Sequence, residues 1–256
     1  MGYRDKYDKW PKYVPVAEKK QKAEKKIASL KKKGAQLHPI VITGRSIAKT
    51  FWGKAWCTHL ESYSDYSNRL PRGRTYVRNG SVIDLQISKG LIKAQVIGSS
   101  LYQVTIDIQK ALESKWISLI KACTGKIDSL IELLQGNFSK NVMEIITEKE
   151  GGLFPSPKEI SLKCSCPDYA GMCKHVAAVL YGVGALLDEK PQHLFTLRHV
   201  DPMDLISIES ASNTLLNAQN DTIEEDDLSS LFGIEMELEE PKPTPKKTKK
   251  SSKKKA

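Results

Sequence analysis

The sequence predicts an α+β fold: a small antiparallel sheet packed by helices, followed by a β-hairpin-plus-helix module and a disordered charged tail. Three observations carry this expectation. Three consecutive runs, "SVIDLQI", "LIKAQVIG" and "LYQVTIDI", have strand character and are joined only by "SKG" and "GSS". Stretches with apolar residues at helical spacing stand on either side of them. Further on, "CSCPDYAGMCKH" gathers three of the five cysteines into twelve residues.

Taken in order, residues 1–34 read as a basic helical arm. "VAEKKQKAEKKIASLKKKG" has helical composition and Gly34 stops it, while Val16, Ala23, Ile27 and Leu30 form only a thin apolar stripe. Residues 35–150 read as the α+β domain. "TFWGKAWCTHLESY" spaces Trp52, Trp56 and Leu60 four apart, the face of a buried helix. In the third strand run Tyr102, Val104, Ile106 and Ile108 alternate with polar residues, as a half-buried strand requires. "ALESKWISLIKACTG" then places Leu112, Trp116, Leu119 and Cys123 on one helical face. "KIDSLIELLQG" reads as a short helix ended by Gly136, and "SKNVMEIITEK" as another. These helices are expected against one face of the sheet. Cys57 and Cys123, both on helical stretches, read as small buried apolar residues.

Between the Trp helix and the sheet lies "YSDYSNRLPRGRTYVRNG". It mixes Arg69, Arg72, Arg74 and Arg78 with Tyr63, Tyr66 and Tyr76. Arginine forks suit phosphates and tyrosines can stack on bases, so the four arginines are candidate nucleic-acid ligands. As a strand, the segment would line Arg72, Arg74, Tyr76 and Arg78 along one face. The competing reading is a structured loop whose arginines pair with acids such as Asp65 and Asp84.

Residues 151–200 hold the cysteine cluster. After "GGLFPSPKE", the run "ISLKCSC" alternates as a strand, so Cys164 and Cys166 point the same way. "PDYAG" turns the chain back, and Cys173 and His175 stand at the start of the apolar helix Val176 to Leu187. A Cys₃His set at a helix N-terminus, with Lys163 and Lys174 beside it, is a zinc constellation. A disulfide fits poorly in a chain expected to be cytoplasmic, where thiols stay reduced. A Cys173–His175 catalytic dyad leaves two cysteines unexplained, and the spacings match neither ferredoxin nor Rieske iron–sulfur runs. Four protein ligands leave no open position for chemistry, so one structural Zn²⁺ per chain is expected.

Charge is segregated along the chain, whose net charge is +10. Residues 1–33 carry twelve Lys/Arg against four acids, and residues 34–200 carry twenty against fourteen. Residues 201–240 form an acidic segment with twelve acids and no Lys or Arg, containing the short amphipathic stretch "LSSLFGIE". Residues 241–256 have eight lysines and no acid, and read as a disordered Lys-rich tail. Two polycationic arms point to a polyanionic partner, with solubility as the competing reading and the acidic segment able to fold back on and mask either arm. The N-terminus "MGYRDKYDKWPKY" has no apolar leader, and the longest apolar run, about twelve residues, is too short to span a bilayer. A cytoplasmic location follows, with nucleoid association compatible, and no membrane contact.

The spacing Cys164-x-Cys166…Cys173-x-His175 resembles the C-x-C-x(n)-C-x-H pattern of the SWIM zinc finger. "FWGKAWC", "YSNRLPRGRTYVRNG", "LFPSPKEI", "CKHVAAVLYGVGALLDEKP" and "LFTLR" are similar to bacterial SWIM proteins over roughly residues 37 to 200. The resemblance implies that Cys164, Cys166, Cys173 and His175 bind zinc. It also implies a DNA-binding or protein-interacting role, with bacterial members accompanying helicases of the chromatin-remodeller type. The lysine arms lie outside the resemblance.

Enzymatic signatures are absent: the chain has no phosphate-binding loop, no H-E-x-x-H and no G-x-S-x-G. "SIAK", Ser46 to Lys49, matches S-x-x-K without its companion motifs. The expectation is a non-enzymatic, zinc-binding, nucleic-acid-binding accessory protein, DNA ahead of RNA, assisting a chromatin-remodeller-type helicase. No small-molecule substrate is expected. The alternative is a zinc-stabilised protein–protein adaptor.

Overall fold

The structure, a computed structural model, describes residues 15–63, 69–168 and 170–206. All of these fall in one compact unit, Met1–Thr214. The amphipathic stretch "LSSLFGIE", most of the acidic segment and the Lys-rich tail lie outside the described residues.

Three strands, β1 (Val82–Ser88), β2 (Leu91–Ile97) and β3 (Leu101–Ile108), form an antiparallel meander. A fourth, β4 (Ile160–Cys164), pairs antiparallel with β3, giving the order β1-β2-β3-β4. The strand that leads into the cysteine cluster is therefore an edge of the main sheet. Its hairpin partner is β3, more than fifty residues earlier, and among the described residues the cluster supplies no return strand of its own.

The first strand is irregular for a reason. Val82 pairs with Val96 and Asp84 with Gln95, so Ile83 is an extra residue in β1. Such a bulge reverses which face later residues take. Val82 and Leu85, three apart, thus both join the main core, while Ile83 packs on the opposite face with Ile97. That opposite face is covered by α1 (Val16–Lys32). Ala23 is buried in the same cluster, with Ile27 and Leu30 against it. Helices accordingly lie on both faces of the sheet, not one. The stripe on α1 is narrower than the sequence suggested, because Val16 stays 44% exposed. Gly34 ends this region with φ +84°, a left-handed conformation that glycine adopts without strain.

The main face carries α2 (Phe51–Glu61), α3 (Leu70–Arg78), α7 (Lys174–Leu187) and α8 (Gln192–Arg198). The helices α4 (Glu113–Cys123), α5 (Leu130–Gln135) and α6 (Lys140–Thr147) complete the same core. Trp52, Trp56 and Leu60 are buried as their spacing demands. Each indole N–H is satisfied, Trp52 donating to the Leu133 carbonyl at 2.9 Å and Trp56 to that of Leu180 at 2.8 Å. Leu112 departs from expectation: it precedes the first turn of α4 and is 56% exposed, so only Trp116, Leu119 and Cys123 form the buried face.

The arginine-rich segment is neither strand nor loop where it is described. It forms α3, with Pro71 in the first turn, where a missing N–H costs nothing. Gly73 explains why a helix forms here. Its Cα meets α7 so closely that an added Cβ would stand 2.5 Å from the Ala177 Cβ and 2.9 Å from the Ala178 nitrogen. Packing against α7 overrides a sequence whose proline and glycine read as turn signals.

The centre of the structure is α7. It is buried on nearly every side, from His175 to Leu187, the property of a core helix and not of a surface one. At its far end Asp188 accepts from the backbone nitrogens of Lys49 and Thr50 at 2.7 and 3.0 Å, and from the Thr50 hydroxyl at 2.7 Å. That carboxylate holds the entry of α2, so Lys49 of "SIAK" is fixed through its backbone.

Candidate metal centre

β4 and α7 converge to place four side chains together. Ile160, Leu162 and Cys164 lie opposite Ile108, Ile106 and Val104, residues of the main core face. Strand pairing continues past Cys164: the Ser165 nitrogen donates to the Gln103 carbonyl at 3.0 Å, and the Gln103 nitrogen to the Ser165 hydroxyl at 2.9 Å. Extended backbone through Ser165 is what sends Cys166 to the same side as Cys164. After the turn, in which the Asp168 carboxylate accepts from the Ala170 nitrogen at 3.3 Å, the chain enters α7. Cys173 is its N-cap residue, its Sγ accepting from the Val176 nitrogen at 3.5 Å, and His175 sits in the first turn.

The ligand atoms of Cys164, Cys166, Cys173 and His175 all lie within 4.8 Å of one another. His175 Nδ1 stands 3.9 Å from both Cys164 Sγ and Cys173 Sγ. A tetrahedral zinc site needs separations of about 3.5–3.8 Å between its ligand atoms, so a small contraction suffices. The protonation chemistry fits as well. Burial, assisted by Lys174, lowers the imidazole pKa of His175 to about 4, leaving it neutral as a ligand must be. Burial pushes the Cys164 thiol up to about 12 and raises Cys173 too, so without a cation these thiols stay protonated. A divalent ion reverses that preference, and the N-terminus of α7 favours the resulting thiolates. These four residues hold one structural zinc ion. It would tie the sheet edge to the central helix and supply cohesion, with no position open to a substrate.

His175 is clamped by aromatic rings. Tyr102 of β3 stacks on it at 4.3 Å between centroids and 25° between planes, and Tyr76 of α3 meets it edge-on at 5.4 Å. Its Nε2 is buried without a hydrogen-bond partner among the described residues. The β2–β3 turn approaches so closely that a Cβ on Gly98 would be 2.9 Å from that nitrogen. The ring is thus oriented by packing where a hydrogen bond to the outer nitrogen is the commoner device.

The neighbouring charges fall differently from the sequence expectation. Lys174 lies beside the site, its ammonium 5.7 Å from the centre of the Tyr76 ring. Lys163 points to the other face of β4 and pairs with Asp107 at 3.8 Å. The four arginines do not make one row. Arg69, Arg72 and Tyr76 follow i, i+3, i+7 spacing and share the side of α3 nearest the zinc ligands, where Arg69 reaches Asp168 at 3.4 Å. Arg74 and Arg78, four apart, share another side. Arg74 is bound to Glu61 at 2.6 Å and donates from Nε to the Tyr181 hydroxyl at 2.8 Å. Arg78 donates to the Arg45 carbonyl at 2.8 Å. Asp84, expected as an arginine partner, instead accepts from the His38 nitrogen and from Gln86. Asp65 lies outside the described residues. No sequence signal marked Glu61 or Tyr181 as partners of this segment: Glu61 is the last residue of α2 and meets Arg74 only because α3 folds back beside it, and Tyr181 lies on α7, more than a hundred residues on.

Cys57 and Cys123 take no part in the cluster. Cys123 is fully buried, and Cys57 is half-buried with its thiol pushed up to about 12 by burial and by Glu61. Neither is poised to react.

Residues 151–183 match the SWIM zinc finger family. That segment runs from the turn before β4 through most of α7 and contains all four ligands. The chain is similar to an uncharacterized protein of Mycobacterium tuberculosis (strain ATCC 25618 / H37Rv), with 35% identity over 168 residues. The match covers 64% of this chain and 60% of the relative's length. No solved structure matches the chain.

Proposed function

From the SWIM zinc finger that this chain carries, we propose that the protein is a nucleic-acid-binding accessory factor, DNA ahead of RNA, working beside a chromatin-remodeller-type helicase. One observation supports this reading above others: cations and tyrosines surround a zinc site that has no room for a substrate. Arg69 precedes α3 as its N-cap residue and exposed Arg72 stands on it, Lys174 opens α7, and half-buried Tyr76 and Tyr102 flank His175. Lys22, Lys25 and Lys26 of α1 border the adjacent β2–β3 turn, Lys22 donating to the Gly98 carbonyl at 3.3 Å. Ammonium and guanidinium groups interleaved with aromatic rings track phosphates and stack on bases without sequence preference. The zinc finger is a binding module, and energy for any translocation would come from the partner.

An adaptor role is the second reading, favoured by apolar side chains left in solvent. Leu112, Ile131 and Met203 are 56%, 69% and 51% exposed. A salt titration of binding to duplex DNA, single-stranded DNA and RNA separates the two. Direct binding predicts an affinity that falls steeply with salt, by roughly 0.9 log units per tenfold salt for each duplex phosphate contact. Replacing Arg72 and Lys174 with Gln then flattens that slope. No measurable binding to any of the three at low salt assigns the protein to the adaptor class.

A further inference from the structure

The geometry points to a second binding site: the cleft between α2, α3 and α7 is a receptor for a phosphoryl group, apart from the zinc face. The cleft is open to solvent and has a volume of about 360 Å³. Lys54 and Thr58 line it from α2, Arg74 and Arg78 from α3, Tyr181 from α7, and Ser46 from the loop before α2. Three cations and three hydroxyls therefore face one concavity. Among the described residues one acid stands in the wall, Glu61, and it is already engaged: its Oε1 accepts from Arg74 at 2.6 Å and from the Tyr181 hydroxyl at 2.8 Å.

That engagement makes the cleft more than a patch of surface charge. Arg74 is held at two nitrogens, Nε by Tyr181 and Nη2 by Glu61, with the Tyr181 ring 5.5 Å from the guanidinium carbon. Nη1 takes no part in these bonds. A fixed guanidinium loses less entropy on binding than a free surface side chain, and its fork geometry suits phosphate oxygens. Arg78 is anchored through one nitrogen to the Arg45 carbonyl. Lys54, on the facing helix, has no hydrogen bond or ion pair from its ammonium among the described residues. Two anchored forks and one free ammonium, with the Ser46 and Thr58 hydroxyls as donors beside them, match the oxygens of a terminal phosphate. The volume accommodates a phosphate with its sugar. Nucleophilic chemistry is not expected there, since Cys57 in the wall is held protonated by burial. Ser46 of "SIAK" acquires a role as a donor at this site.

The source of the phosphoryl group is either the end of a nucleic-acid strand or a free phosphate compound. The site stands whether or not the zinc face binds nucleic acid. The test is calorimetric titration of the zinc-loaded full chain with pyrophosphate, for wild type, Lys54→Gln, Arg78→Gln and Lys174→Gln. Saturable binding is expected, weakened about tenfold by either cleft variant and unchanged by Lys174→Gln. Both cleft substitutions replace solvent-accessible side chains and spare the Arg74–Glu61–Tyr181 bonds, so folding is preserved. Absence of saturable binding overturns the proposal, and so does equal weakening by all three variants, which would mean general surface charge. A parallel titration compares one oligodeoxynucleotide with a 5′-phosphate or a 5′-hydroxyl end. Preference for the phosphorylated end that vanishes in Arg78→Gln identifies a strand terminus as the source. Equal binding of both ends, with pyrophosphate still bound in the cleft, identifies a free phosphate compound. The strand-end comparison leaves the zinc face intact, so failure here and failure of the nucleic-acid reading remain distinguishable.

Discussion

At the scale of single residues, His175 shows how a zinc ligand is set by packing. Its ring is fixed between Tyr102 and Tyr76, with the backbone of Gly98 closing the third side. Tyr102→Ala removes the stack without touching a ligand atom. Zinc stoichiometry should stay at one, while transfer of the metal to a competing chelator becomes about tenfold more favourable, the lower end of what loss of a supporting contact costs. Unchanged competition would show that the ring is held by its metal bond alone. Arg198 is the other decisive residue. It is 2% exposed, pairs with Glu159 at 2.7 Å and donates to the Gln109 carbonyl at 2.9 Å. Burial would raise the Glu159 carboxyl, but Arg198 and the Ser156 nitrogen and hydroxyl outweigh it and hold the group below its usual value of 4.5. The stabilisation is therefore complete above about pH 4.5 and is lost as pH falls through the lower folded value. Arg198→Ala leaves Glu159 without its cation and should cost about 3 kcal/mol at neutral pH. The loss should shrink in acid, as urea melts at pH 7 and pH 4 would reveal.

At the scale of elements, the contact of α3 with α7 is the sharpest constraint. Gly73→Ala would gain about 1 kcal/mol of helix propensity. It would also drive a Cβ to 2.5 Å from the Ala177 Cβ and 2.8 Å from the Ala177 carbonyl carbon. Overpacking against a core helix costs about 1–3 kcal/mol. The net effect should be destabilising, with a lower melting temperature and undiminished zinc; a stabilised variant would contradict the close crossing. β1, β2 and β3 were legible within a residue of their ends, because their strand-like runs are bounded by short turns. The zinc ligands were legible from spacing. The helix α3 was not: Pro71 and Gly73 give turn signals locally, and the neighbour that overrides them lies a hundred residues away. For the same reason the division of the arginines between two sides could not be read. The bulge at Ile83 was equally hidden, and with it the docking of α1 on the second face of the sheet.

At the scale of the whole molecule, the zinc segment is not an appendage. β4 is the edge of the shared sheet and α7 is the buried axis of the shared core. A separate hairpin module would melt by itself when its metal is removed, leaving the remainder intact. This arrangement predicts a single loss of stability instead. Structural zinc contributes on the order of 10 kcal/mol in small zinc-finger peptides, comparable to the whole stability of an ordinary domain. The measurement that tests the account most directly is scanning calorimetry of the full chain with its metal content determined, for wild type, chelator-treated protein and Cys166→Ser. One zinc per wild-type chain and one cooperative transition are expected. That whole transition should shift downward when zinc is removed or Cys166 is replaced. A zinc-free wild-type protein melting unchanged, or a small early transition before an unmoved main one, would contradict it.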